Sequence, residues 1–233
     1  MEYSVVIPLF NEAQSLEMLQ TQLYDVMESI AAGYEVIYVN DGSSDESSQQ
    51  LEKLRQRYPN INIISFKTNR GQSAALHAGF KAAKGQWLIT LDADGQNPPR
   101  EITKLLKIKD AFDFVTGIRT RRRDNLIRKI SSQVAKFFRW VVLGDTTQDT
   151  GCSLRIFRKE IVDSVPFFKN FHRFFVFLVR RKGFLVKEVP VAHNARRFGK
   201  SKYRFFKRMV EGIFDLWGLF WISRRLNYES GHS

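Results

Sequence analysis

Strand and helix signals alternate along the first 119 residues, and this alternation leaves few architectures open. "YSVVIPLF" (3–10) reads as a buried strand. "SLEMLQTQLYDVMESIAA" (15–32) follows with apolar residues at helical spacing: Leu16, Leu19, Leu23, Val26, Met27 and Ile30. "YEVIYVND" (34–41), "INIISF" (61–66), "QWLITLDA" (86–93) and "FDFVTGIR" (112–119) read as further strands. Between them lie a helix opened by Ser43 with Glu46 three residues on, a capping-box spacing. The small-residue helix "GQSAALHAGFKAAKG" (71–85) comes next, with Gly85 expected to end it, and then a helix with proline in its first turn at "PPREITKLLKIK". Strands separated by helical crossovers predict a mostly parallel, Rossmann-like α/β sheet flanked by helices.

Ligands of such sheets sit outside the carboxyl ends of the strands. The predicted strands end in Asn11 and Glu12, Asp41, Asn69 and Arg70, Asp92 and Asp94, and Arg119. A polar rim of this kind predicts a polar, phosphate-bearing ligand. "LDADGQNPP" (91–99) is its most specific part. If the strand runs on, Asp92, Asp94 and Gln96 alternate onto one face. Oxygen ligands there suit Mg²⁺ or Mn²⁺, which take one or two carboxylates and complete their shell with substrate phosphates. Neighbouring aspartates on one face suit a shared metal better than glycosidase chemistry, which needs carboxylates on opposite sides of a sugar. No G-x-x-x-x-G-K-[ST] is present, and "GQSAALHAG" does not fit G-x-G-x-x-G. A P-loop enzyme and a dinucleotide-dependent dehydrogenase are thereby disfavoured.

Composition narrows the setting. Thirty-seven Lys and Arg against 24 Asp and Glu give a net charge of +13. That excess suits phosphorylated substrates, an anionic membrane or nucleic acid. Basic residues stand beside aromatics in 120–143, 167–182 and 203–225. In 120–143, Leu126, Ile127, Ile130, Val134, Phe137, Phe138 and Val141 share a helical face. This pattern predicts attachment to a membrane surface, with base stacking by a nucleic-acid binder as the competing reading. No apolar run reaches the ~20 residues of a spanning helix, and the start of the chain does not read as a signal peptide. A single cysteine, Cys152, forms no internal disulfide and suits a cytoplasmic location.

Taken in order, "VVIPLFNE" (5–12), "VIYVNDGSSD" (36–45), "NRGQSAALHAGFKAAKG" (69–85), "LDADGQNPP", "TGIR" (116–119), "DTGCSLRIFRKE" (149–160) and "EVPVAHNARRFGKSKY" (188–203) resemble the family 2 glycosyltransferases of GT-A fold. The last two place the likeness in the polyprenyl-phosphate branch, typified by dolichol-phosphate mannosyltransferase. The resemblance implies inverting transfer of a sugar from a GDP- or UDP-sugar to dolichyl or undecaprenyl phosphate, at the cytoplasmic face of a membrane. It implies a transferase domain over 1–202 and an amphipathic C-terminal segment over 203–233. Pro8, Phe10 and Glu12 would line the nucleotide pocket, with Val39 and Asp41 on base and ribose. Asp92, Ala93, Asp94 and Gln96 would hold metal and diphosphate. Arg119, Arg196 and Lys202 would neutralise phosphates, and Ser153 and Arg155 would meet the acceptor phosphate. Arg119 and Asp94 carry the catalytic roles, Asp94 being the nearest candidate base. Nucleic acid is not an expected partner. The alternatives are a family 2 enzyme with a soluble or polysaccharide acceptor and, more distantly, a nucleic-acid binder. The chain departs from the family pattern at Phe10, where tyrosine is usual, and at Asn40, where aspartate is usual. "FHRFF" (171–175) lacks an acidic residue often found there, and the reading of its His172 as a packing residue is preferred.

Overall fold

A computed structural model gives the conformation of residues 1–120, 126–195, 212 and 214–221. The chain divides into two compact units, Met1–Arg122 with Asp149–Gly199, and Arg123–Gln148 with Lys200–Ser233.

In chain order the elements are β1 (Tyr3–Leu9), α1 (Ala13–Ser29), β2 (Tyr34–Asn40), α2 (Ser47–Arg57), β3 (Ile61–Ser65), α3 (Gln72–Ala82), β4 (Trp87–Thr90), α4 (Ile102–Leu106), β5 (Phe114–Arg119), α5 (Leu126–Leu143), β6 (Arg155–Arg158), α6 (Ile161–Ser164), α7 (Phe175–Arg181) and β7 (Val186–Val191). All except α5 belong to the first unit. Its seven-stranded sheet has the order β3-β2-β1-β4-β6-β5-β7. β6 runs antiparallel between β4 and β5, and the other pairings are parallel. This is the mostly parallel α/β sheet the alternation predicts. The chain lays β2 and β3 on one side of β1, then returns to add β4 on the other. The reversal opens a crevice beyond the carboxyl ends of β1 and β4.

Both faces of the sheet are buried, which explains why its strands are near-continuous apolar runs. On one face Val5, Ile7 and Leu9 join Leu16, Leu19, Leu23 and Met27 of α1 and Val36 and Tyr38 of β2. On the other, α3 packs through Gly79, where a Cβ would collide with Val6 and come within 3.1 Å of Val39 Cγ2. Further along that face, Phe114, Phe157 and Phe175 stand with ring centroids 5.1–5.2 Å apart. Phe80 and Phe171 each stand 5.3 Å from a ring of this group.

Three local expectations change. The aromatic-basic stretch 167–182 is largely core rather than a membrane-facing surface: Phe171, Phe174, Phe175, Val176, Phe177, Leu178 and Val179 are buried. Gly85 does not cap α3, which ends with Ala83 in extended conformation. It permits instead a close backbone approach, since a Cβ there would meet Tyr3 C at 2.5 Å and Ser4 N at 2.6 Å. The Ser43–Glu46 capping box does not form, because α2 begins at Ser47 and Asp45 Oδ1 accepts from Ser47 N at 3.0 Å.

In the second unit, α5 carries Val134, Phe137, Phe138, Trp140 and Val141, all exposed. Residues 214–221 are helical and expose Phe214, Trp217 and Trp221 while burying Leu219. Among the described residues, no helix is long and apolar enough to cross a membrane.

Candidate active site

The crevice is assembled from loops that hold one another by side-chain to backbone bonds. Asn11, at φ +56, follows β1. Its Oδ1 accepts from Ser44 N at 2.7 Å, and its N–H donates to Ser43 Oγ at 2.9 Å. Glu12 N donates to Ser47 Oγ at 3.1 Å and Ala13 N to Asp45 Oδ2 at 3.2 Å. "FNE" and "GSSD" are therefore two halves of one rim. Pro8 is buried at the end of β1, while Phe10 and Glu12 are partly exposed on that rim. Val39 is buried, with its side chain toward Gly79. Asp41 is nearly enclosed, and its carboxylate accepts from Arg70 N at 2.7 Å and Gly71 N at 2.9 Å. Burial raises its pKa despite those two N–H donors and the Arg70 charge.

β4 ends at Thr90, so Asp92, Asp94 and Gln96 do not alternate along a strand as expected; they lie on a turn. The cause is local. Gly95 takes φ +70, and Asp94 Oδ1 accepts from Gln96 N at 3.1 Å, a side-chain turn that competes with the ladder. The buried Ala93 is fastened by Ser15 Oγ, which donates to its carbonyl at 2.6 Å. Gln96 and Asn194 bond twice: Asn194 N donates to Gln96 O at 2.8 Å, and Gln96 Nε2 to Asn194 O at 3.4 Å. These bonds engage the Gln96 side-chain amide nitrogen rather than the side-chain oxygen.

The two aspartates repel. Burial, then the Asp94 charge, push Asp92 up to about 6, against opposing contributions from Ser153, Arg155 and Arg119. Gln72 Nε2, from the first turn of α3, donates to Asp92 Oδ1 at 2.9 Å. Hard oxygen donors under mutual repulsion are what a divalent cation relieves, and two carboxylates are the usual protein share for Mg²⁺. The residues present fit such an ion. Among the described residues there is no group of three or more His, Cys, Asp or Glu that could hold one alone.

Arginines face these carboxylates. Arg119, at the end of β5, is gripped by Asp149: Nε reaches Oδ2 and Nη2 reaches Oδ1, both at 2.8 Å, and Arg119 N also donates to Oδ2 at 3.1 Å. Burial works against its charge, but the Asp149 bonds and charge outweigh it and raise its pKa. A Cβ at Gly151 would occupy the place of the Arg119 guanidinium. Arg155, on β6, is buried, which lowers its pKa although the nearby Cys152, Asp92 and Asp149 favour its charge. Its Nη2 donates to His172 O at 3.0 Å and Thr150 O at 3.4 Å. His172 Nδ1 shares a 2.8 Å hydrogen bond with Ser73 Oγ. His172 is thus tied to the α3 edge of the crevice as well as packed against Phe171. Ser153 faces the carboxylate loop: its Oγ accepts from Asp92 N at 3.1 Å and Asn97 Nδ2 at 2.7 Å.

The structure therefore gathers Asp92, Ala93, Asp94, Gln96, Arg119, Ser153 and Arg155 at one end of the sheet, with Asp41 on the adjoining rim. Arg196 and Lys202 lie outside the described residues. The sequence reading missed Asp149, Gln72, Asn97 and the Ser73–His172 pair. Asp149 opens "DTGCSLRIFRKE", yet its partner Arg119 lies 30 residues away in sequence and no local spacing announces it.

Comparison with solved structures returns this fold. Glucosyl-3-phosphoglycerate synthase from Mycobacterium tuberculosis, in complex with phosphoglyceric acid, superposes with TM-score 0.70 at 15% identity, over 95% of this chain and 79% of that one. The same enzyme in complex with Mn²⁺ and uridine-diphosphate-glucose gives TM-score 0.70, 15% identity, and 93% and 79% coverage. The sheet and its flanking helices are thus of the GT-A kind. Among curated proteins, an undecaprenyl-phosphate 4-deoxy-4-formamido-L-arabinose transferase of Salmonella choleraesuis (strain SC-B67) is 38% identical over 216 residues, 91% of this chain. The chain spans 65% of the length of that relative. The family model for "Glycosyl transferase family 2" matches residues 4–165. The chain belongs to glycosyl transferase family 2.

Proposed function

We propose that this protein transfers a sugar from a nucleotide diphosphate sugar to a polyprenyl phosphate, with inversion at the anomeric carbon. The carrying observation is the Asp92–Asp94 carboxylate pair set beside Arg119 and Arg155 where the sheet changes direction. Such a site serves two phosphate-bearing substrates. The likeness to undecaprenyl-phosphate transferases supports a lipid phosphate as the acceptor.

In this reading Asp92, Asp94 and the Gln96 amide oxygen would hold Mg²⁺ or Mn²⁺, which would supply positive charge against the leaving diphosphate. Pro8, Phe10, Glu12, Val39, Asp41 and Ala93 form the nucleotide side. Arg119, kept rigid by Asp149, presents fixed positive charge, which costs no reorganisation as the sugar–diphosphate bond breaks. Arg155 adds a second buried cation. The acceptor phosphate, largely dianionic at pH 7 by analogy with other monoesters of second pKa ~6, forms the new bond to the anomeric carbon. No proton has to be removed from it, so the site needs no strong base, and Asp94 is assigned to the metal. Arg196 and Lys202 are assigned to phosphate neutralisation on the resemblance alone.

The second unit is assigned to a membrane surface on the cytoplasmic side. Val134, Phe137, Phe138 and Val141 recur at one-turn spacing on α5, and Phe214, Trp217 and Trp221 are exposed in the same unit. Exposed aromatics on helices of a chain with net charge +13 suit the interface of anionic lipid.

The test is a panel of radiolabelled sugar nucleotides incubated with undecaprenyl phosphate, with Mg²⁺, Mn²⁺ or chelator. One donor is expected to yield butanol-extractable label that chelator abolishes. Label passing only to water-soluble acceptors would establish the soluble-acceptor alternative instead.

A further inference from the structure

Asn97 has no part in the chemistry described above, yet it is 3% exposed and joins three segments. Its Nδ2 donates to Ser153 Oγ at 2.7 Å, at the entry to β6. Its Oδ1 lies 3.4 Å from His193 Nδ1, beyond the end of β7. Ser153 Oγ also accepts from Asp92 N at 3.1 Å. A hydroxyl oxygen has two lone pairs and one hydrogen. With Asn97 and Asp92 N–H as donors, both lone pairs are filled. Both bonds converge on the one oxygen, which ties Asn97 to the Asp92 backbone. The neighbouring bonds brace the same joint: Asn194 N to Gln96 O at 2.8 Å, and Ala192 N to Glu101 Oε2 at 2.9 Å.

We infer that Asn97 is a positioning residue: through Ser153 it fixes the backbone of Asp92, and with it the place of the carboxylate, and through His193 it fastens that loop to the exit of β7. This rests on the metal-binding reading of Asp92 and Asp94. It also gives Ser153 a task different from contact with the acceptor phosphate. The hydroxyl serves as a junction inside the protein, between the Asn97 side chain and the Asp92 backbone. Partners that orient a metal ligand typically change metal affinity 10–100-fold when removed.

The experiment is Mn²⁺ binding to the intact protein, without donor or acceptor, followed by the electron paramagnetic resonance of free Mn²⁺. Asn97→Ala and the bulkier Asn97→Leu are each expected to weaken binding about tenfold. Ser153→Val should do the same, while Ser153→Thr, which keeps the hydroxyl, should bind as the parent does. Asn97→Ala combined with Ser153→Val should lose no more than the worse single variant, because both break one chain of bonds. A folded Asn97 variant with parental Mn²⁺ affinity overturns the inference, as do additive losses in the double variant. If neither Asn97 variant folds, the Ser153→Val and Ser153→Thr pair decides from the other end, and equal affinities overturn the inference. A parent protein that binds no Mn²⁺ overturns the metal reading, and the inference with it; parental binding with unchanged variants overturns the inference alone.

Discussion

Asp92 is held where its charge is costly. Burial and the Asp94 charge place its pKa at about 6, above the ordinary carboxylate value. In the metal-free protein the folded state therefore binds this proton more tightly than the unfolded chain does. The associated stability is complete below pH ~4 and is lost as pH rises through about 6. Asp92→Asn is accordingly expected to raise the Tm at pH 7–8, by on the order of 1 kcal/mol of stability, and to give no gain near pH 4. Protons compete with the cation, so Mn²⁺ affinity should climb about tenfold per pH unit below pH 6 and level off above it; binding titrations across pH check this. Arg119 supplies a second case. Its pairing with Asp149 is bidentate and nearly enclosed, so Asp149→Ala leaves an arginine without its partner and should cost about 3 kcal/mol in denaturant unfolding. Sequence exposed one of these features and concealed the other. Asp92 and Asp94 are legible because Asp-x-Asp after an apolar run is a local pattern. Asp149 is not, because its meaning depends on β5 and the 149–154 segment meeting in space. The same limit affects Ser153 and Arg155, whose types suggest phosphate contact while their bonds run to Asp92, His172 and Thr150 within the protein.

Among elements, two aromatic-basic stretches that look alike in sequence have opposite surroundings. Phe175, in α7, lies within about 6 Å of the Phe80, Phe114, Phe157 and Phe171 rings. Phe137 and Phe138, on α5, are more than half exposed. Phe175→Ala should cost about 3–5 kcal/mol, while Phe137→Ala should leave thermal unfolding within about 0.5 kcal/mol of the parent. Aromatics beside basic residues say nothing of what covers the aromatics, and this is why the surroundings of 167–182 are not legible in sequence. The sheet was legible for the complementary reason: runs such as "VVIPL" and "VIYV" carry apolar residues at successive positions, which only a strand covered on both sides requires. A glycine just past a small-residue helix reads as its terminator, but Gly85 is not one. Its true constraint is the β1 backbone, and Gly85→Ala should destabilise the fold by roughly 2 kcal/mol or more, measured by chemical denaturation.

At the scale of the whole molecule, a net charge of +13 and two sets of exposed aromatics are the features on which the proposed membrane attachment rests. The second unit is expected to carry membrane attachment. Trp140→Ala with Phe137→Ala should cut flotation with anionic vesicles severalfold and leave the fold intact, and added salt should weaken what remains. A protein wholly unbound to anionic vesicles would remove that role. The bond cleaved is the most direct test of the account as a whole. Glycosyl transfer to a lipid phosphate breaks the bond between the sugar and the diphosphate. Mass spectrometry of the lipid product, with quantification of the released nucleotide, should find a polyprenyl monophosphate-linked sugar and an equal amount of nucleoside diphosphate. A lipid-linked sugar diphosphate accompanied by nucleoside monophosphate would mean that a phosphorus–oxygen bond is broken instead, and would contradict the account.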